Sequence, residues 1–291
     1  MCRSWFLRVT EIIFWGVVLS LIVLLVLYWP TPSRWPSKSE VGIIRINTSI
    51  WSVSAELVQA QIEEARDDTS IKAVVVQLDS PGGEVVASQT LYLELQNLRR
   101  EMPVVGSMDN MAASGAYYAA MGTDPIYAKP SSAVGNVGVW AIIPDDLAVN
   151  DVVLASGPFK LSGSNRDEFL REIDGIKQEF LATVFSQRGD RLTLSPAELA
   201  QGLLYPGRKA VELGLIDHIG TQSEAVAAAA EQAGISNYEV VDLEARVIDG
   251  WMENYFFLQE TWVGDADPVT GKRSLPYGIY LLYDAHLRGA P

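Results

Sequence analysis

From Val41 onward the apolar positions switch repeatedly between a strand-like and a helix-like period. Val41–Asn47 predicts a short strand, and Ala55–Asp67 carries helical spacing with Leu57, Ile62 and Ala65 inward. Ile71–Leu78 (IKAVVVQL) is apolar almost throughout, as expected of a strand covered on both faces. Val85–Arg100 resumes the helical period, and Pro103–Ser107 predicts another strand. Ala112–Met121 follows as a short helix, with strands at Pro125–Ala128 and Val137–Ile143. Such alternation predicts an α/β fold, a mainly parallel sheet joined by right-handed β-α-β connections.

Beyond Lys160 the pattern turns helical. Asp167–Arg188 is a long amphipathic helix with Phe169, Ile173, Ile176, Phe180 and Val184 on one stripe. Ser195, Pro196 and Glu198 form the signature of a capping box opening a helix through Gln201. Arg208–Leu213 is a shorter helix closed by Gly214, and the alanine-rich Ser223–Ala233 helix ends at Gly234. Tyr238–Leu243 fits a returning strand. The remainder is aromatic-rich with little periodicity.

The N-terminal run is of another kind. Ile12–Trp29 holds eighteen residues without a charge, close to the ~20 a helix needs to cross a bilayer. Tyr28 and Trp29 sit at its exit, where an aromatic belt belongs. Arg3 and Arg8 outweigh Glu11 ahead of it, a small bias toward an N-in orientation that would place the rest outside the cytoplasm. Tyr-Trp-Pro-Thr-Pro is a poor cleavage site, so the run is expected to remain as a signal anchor. The expected organisation is therefore a tail at 1–11, an anchor at 12–29 and a Pro/Ser-rich linker at 30–40. A catalytic-sized domain at 41–243 and an extension at 244–291 follow.

Charge and cysteine content narrow the chemistry. Of 291 residues, 22 are basic and 36 acidic, a net charge of −14 that argues against nucleic-acid binding. The single cysteine, Cys2, excludes an intrachain disulfide, and no Cys/His cluster has metal-ligand spacing.

Two segments carry candidate chemistry. Asn110–Ala120 (NMAASGAYYAA) presents Ser114 in a small-residue turn at the start of an apolar helix, and Asp79-Ser-Pro-Gly-Gly83 follows a buried strand. Glycines there allow a sharp turn and leave backbone N–H groups unshielded for an oxyanion. Each segment alone has an ordinary structural explanation; the pair across one β-α-β unit is rarer. A serine triad needs a histidine, and only His218 and His286 exist, one in a turn and one near the C-terminus. Lysine can replace histidine where burial favours the neutral amine. Lys160, in the small-residue segment Ala155–Ser164 between Phe159 and Leu161, is the candidate, 46 residues after Ser114.

This set resembles the serine–lysine signal peptide peptidase A family of the Clp/crotonase superfamily. The match runs through the glycine turn, Ser114, Val134–Val139 (VGNVGV), the Gly-Pro-Phe-Lys160 segment and Gly207–Asp217 with Gly220 behind it, from about Val41 to Gly234. The resemblance implies a Clp/crotonase-like superhelical stack with Ser114 as nucleophile and Lys160 as general base. It places the oxyanion on the N–H groups of Gly83 and Gly115. It further implies a membrane-anchored endopeptidase acting on extended apolar peptides such as released signal peptides, a homo-oligomer, and no metal or other cofactor. Two positions depart from the family pattern. Residue 116 is alanine where glycine is frequent, and Asn136 stands where a serine often bonds the lysine. Asn136 can accept from the amine through its carbonyl, can be a plain turn residue, or can leave that task to Ser162 or Ser164. Rival functions are a crotonase-like acyl-CoA enzyme and a non-catalytic membrane scaffold of the same fold.

Overall fold

The computed structural model describes residues 15–21, 23, 38–141, 163–254 and 279–282. Two compact units meet at Lys38 and Ser39. In the first, residues 15–21 and 23 are helical, while the rest of the predicted anchor lies outside the described residues. Among the described residues no helix is long and apolar enough to cross a membrane.

The second unit begins with β1 (Ser39–Ile46), α1 (Ser52–Asp67), β2 (Ile71–Ser80) and the short β3 (Gly82–Glu84). It continues through α2 (Val85–Leu98), β4 (Val104–Ala113), α3 (Gly115–Ala120), β5 (Ile126–Ala128), β6 (Ala133–Gly135) and β7 (Trp140–Ala141). The helical part follows as α4 (Arg166–Arg188), α5 (Pro196–Leu199), β8 (Leu204–Pro206), α6 (Gly207–Glu212), β9 (His218–Ile219) and α7 (Gln222–Gln232). The last described elements are β10 (Tyr238–Asp242), α8 (Leu243–Asn254) and β11 (Ile279–Leu282).

Eight strands form the main sheet, ordered β10-β1-β2-β4-β5-β9, with β6 continuing beside β4 and β8 beside β6. Every pairing is parallel except β6 with β8. The unbroken apolar run of β2 has a direct cause. Val74, Val76 and Leu78 enter the larger core with α1, α2 and α3, whereas Ala73 and Val75 enter a second core under Ala225, Val226 and Ala229 of α7. Alternate side chains of one strand thus fill both faces. On α1 the fully buried stripe is Ala55, Val58, Gln61, Ile62 and Ala65, so Leu57 sits to one side of the expected inward face.

Three expectations are corrected. The strand begun at Pro103–Ser107 runs to Ala113, because residues 111–113 pair with β6; Ala112 and Ala113 are therefore strand, and the helix starts only at Gly115. The expected Val137–Ile143 strand is replaced by β6 at Ala133–Gly135 and the two-residue β7. The stretch after Leu243, which lacks clear periodicity, opens as α8 and packs on α1 and β1. Other elements match closely. Ser195 Oγ accepts from Glu198 N while Glu198 Oε2 accepts from Ser195 N, the capping box its sequence announces.

Candidate active site

At the carboxyl ends of β2 and β4 the two sequence-predicted turns come together. Ser80 is paired with Ala112 across those strands, so Gly82–Gly83 and Ser114 leave the sheet side by side, and β3 touches α3. This end of a parallel α/β sheet is where ligands commonly bind.

Ser114 occupies the single residue between β4 and α3, with φ 52° and ψ −118°. A non-glycine residue there costs about 1–3 kcal/mol and persists only where its surroundings hold it. Those surroundings are visible. Ser114 N–H donates to Gly135 O at 2.8 Å, and its own carbonyl accepts from Tyr118 N at 2.9 Å. Its hydroxyl does not cap the helix. Behind it α3 is fixed by Tyr117, whose buried hydroxyl donates to Leu215 O at 2.8 Å. Burial pushes the Tyr117 phenol well above its usual range, so it stays a neutral donor. Tyr118 adds edge-on ring contacts to Tyr92 of α2 and Phe180 of α4.

Glycine at 83 is required by close approach: a Cβ there would lie 1.8 Å from the Ile50 carbonyl oxygen. Gly82, at φ 96°, makes the turn, and its N–H donates to Ser80 Oγ at 3.1 Å. Ile50 N–H donates to Gly82 O, and Glu84 N–H to Ile50 O, both at 2.8 Å. Since N–H and C=O groups alternate edges along a strand, Gly83 turns its own pair away from Ile50. Gly115 opens α3, and a first-turn N–H has no partner within its helix. Asp79 ties the same end together by accepting from Asn110 Nδ2 at 2.7 Å.

Asn136 directly follows Gly135, the residue that receives Ser114 N–H. Among the described residues, Ser114 and Asn136 are the two non-glycine residues with positive φ, Asn136 at 56°. Asparagine tolerates that left-handed conformation better than most residues, a physical reason for its choice over serine here. Its backbone N–H donates to Leu203 O at 2.8 Å and its side-chain Nδ2 to Gly202 O at 2.7 Å. The amide is thereby oriented with its carbonyl as the end open to a donor. Lys160 and Ser162 lie outside the described residues; Ser164 is described, just ahead of α4. His218 is exposed on β9 and tilted against the Tyr127 ring, and His286 lies outside the described residues.

The Gly207–Asp217 motif builds the scaffold around this end of the sheet. Gly207 packs so closely on Lys129 that a Cβ would fall 2.1 Å from its carbonyl oxygen. Gly214, at φ 75°, is equally tight against Arg191. Asp217 accepts two bonds from Arg188, at 2.8 and 2.9 Å, and one from Ile126 N at 2.8 Å. Burial raises the Asp217 carboxyl, but these bonds and the Arg188 charge outweigh it and hold the group below the usual carboxylate range. The Arg188 partnership escapes sequence reasoning because nothing in a helical stripe marks its last-turn arginine as buried. Among the described residues no cluster of His, Cys, Asp or Glu has the form of a metal site.

Comparison with known proteins places this architecture. The peptidase family S49 pattern matches residues 96–236. A Synechocystis sp. protein that carries a protease name is 32% identical over 219 residues, 70% of this chain and 78% of that protein. The chloroplastic serine protease SPPA of Arabidopsis thaliana is 29% identical, with 68% of this chain and 33% of that one aligned. Protease 4 of Haemophilus influenzae is 32% identical over 57% of this chain and 29% of its own length. The chain therefore spans most of the first protein and about a third of the other two. Fold and matches together define a peptidase of the α/β class. The chain belongs to peptidase family S49, the signal peptide peptidase A family.

Proposed function

We propose that this chain is a membrane-anchored serine endopeptidase in which Ser114 is the nucleophile and Lys160 the general base. The observation that carries the reading is the strained backbone of Ser114, held at the mouth of the parallel sheet beside the Gly82–Gly83 turn. Strain of this kind collects at reactive positions, because it presents a side chain that a relaxed turn would fold away.

Neutral Lys160 takes the hydroxyl proton as Ser114 Oγ attacks the peptide carbonyl. The oxyanion of the tetrahedral intermediate is received by the N–H groups of Gly83 and Gly115. The lysine ammonium then protonates the departing amine, leaving an acyl-enzyme, and water repeats the sequence to release the acid. Asn136 suits the amine through its carbonyl oxygen, with Ser162 or Ser164 as the alternative partner. The substrate class is an extended apolar peptide such as a released signal peptide, and the span 12–29 keeps the site beside the bilayer where such peptides remain. By family resemblance the working form is a homo-oligomer.

Hydrolysis of a fluorogenic apolar peptide by the full chain tests this. Ser114→Ala and Lys160→Ala should each lower kcat/KM by about 10³-fold or more, the scale on which catalytic residues of a serine peptidase act. Wild-type activity should rise with pH as the lysine loses its proton. Full activity in either variant would overturn the assignment. A fluorophosphonate should also label Ser114, which an acyl-CoA enzyme of the same fold would not allow.

A further inference from the structure

The second sheet has an order that no connection in the fold requires. β3 and β7 do not pair with each other; they are joined only through β11, antiparallel to both. The register sets Leu281 opposite Gly83 and Tyr280 opposite Trp140. Because Gly83 turns its N–H and C=O away from Ile50, those groups face Leu281. In an antiparallel ladder such facing residues exchange N–H···O bonds, and the next residue, Tyr280, presents its pair to Trp140 on the other edge. β11 also touches α2 and α3, the second of which starts beside Ser114.

We infer that the facing edges of β3 and β7 form a binding slot for one extended apolar strand, and that residues 279–282 of this same chain occupy it as an intramolecular competitor. Two observations carry this. Without β11 both edges would face each other with unpaired backbone groups, a template for any added strand. And the occupant is apolar and aromatic, Ile-Tyr-Leu-Leu, within the sequence Tyr277–Tyr283 (YGIYLLY). The consequence for activity rests on the peptidase reading: the Gly83 N–H that faces Leu281 is the one assigned to the substrate oxyanion, so strand and substrate carbonyl exclude each other. A tethered strand acts at a local concentration on the order of millimolar, so a free peptide must bind against it.

The test uses the full chain with Ser114→Ala, so that nothing is hydrolysed, and a fluorescent peptide of sequence YGIYLLY. Leu281→Pro removes the N–H that faces Gly83, and Tyr280→Pro the one that faces Trp140. Each should tighten peptide binding by about 10-fold or more, with unchanged thermal unfolding and with no dependence on protein concentration. Amide hydrogen exchange on the chain without proline changes gives a second measure. Gly83 and Trp140 should be protected, and either proline variant should release both. Equal peptide affinity with and without the proline changes, or a Gly83 amide that exchanges freely in the unmodified tail, would overturn the inference. So would a tightening that disappears on dilution, which would assign the strand to a second copy. Because the readouts are binding and exchange, they stand whether or not Ser114 proves to be the nucleophile.

Discussion

At the scale of single residues, Ser114 shows where sequence and structure part. Its candidacy is legible in the chain, since a lone serine in a small-residue turn before an apolar helix is already unusual. Its conformation is not, because φ 52° is imposed by β6, whose Gly135 accepts the serine N–H from outside the local sequence. Asn136 is similar: its identity reads as a departure from the family pattern, and only the left-handed backbone explains it. The strain makes a prediction that activity alone would miss. Replacing Ser114 by alanine leaves a Cβ in the same unfavourable region, whereas glycine relieves it. The relief, about 1–3 kcal/mol, is partly offset by the roughly 0.5–1 kcal/mol that glycine loses in chain entropy. Ser114→Gly should therefore be as inactive as Ser114→Ala but more stable by about 1 kcal/mol, measured by urea unfolding. Equal stability would mean that the surrounding structure relaxes to remove the strain.

At the scale of elements, the strands whose two faces are buried are the most legible. β2 reads from its apolar run because it separates two cores, and the α5 capping box reads from three residues. β6 does not, because three residues with a positive-φ glycine carry no periodicity and are held by β4 and β8. The α4–β9 corner depends on a buried pair that periodicity hides. Arg188 is 2% exposed and Asp217 10%, joined through both carboxylate oxygens, with Arg188 Nε also donating to Gly214 O at 2.7 Å. Arg188→Ala leaves Asp217 buried without its counter-ion and should cost about 3–5 kcal/mol, read from denaturant unfolding. The pair also predicts acid sensitivity. The folded carboxyl titrates below its unfolded value of about 3.9, so its stabilisation is complete above that pH and is lost as pH falls through the lower, folded value. Asp217→Asn should flatten that part of the acid unfolding curve. An unchanged curve would show that other carboxylates set it.

At the scale of the whole molecule, the α/β class follows from strand–helix alternation, but the second sheet does not. β11 comes from an aromatic stretch with no periodicity of its own, and its partners β3 and β7 are three and two residues long. Such pieces gain a defined place only from one another. The N-terminal run is the reverse case, legible in composition and separable in structure. Both hydrophobic cores are built from residues at or beyond Val41, none of them in the unit that ends at Lys38. If 12–29 serves only to hold the peptidase at the bilayer, its removal should change location without changing the fold. The full chain should stay with the membrane through alkaline carbonate extraction, which strips proteins held by charge alone. A chain starting at Lys38 should be released into the soluble fraction and unfold at the same temperature, because its cores are intact. It should also hydrolyse a short soluble peptide at the full-length rate while losing ground on peptides presented in vesicles. Release of the full chain by carbonate would remove the anchor from the proposal. A large drop in melting temperature on truncation would instead show that the N-terminal unit supports the peptidase fold.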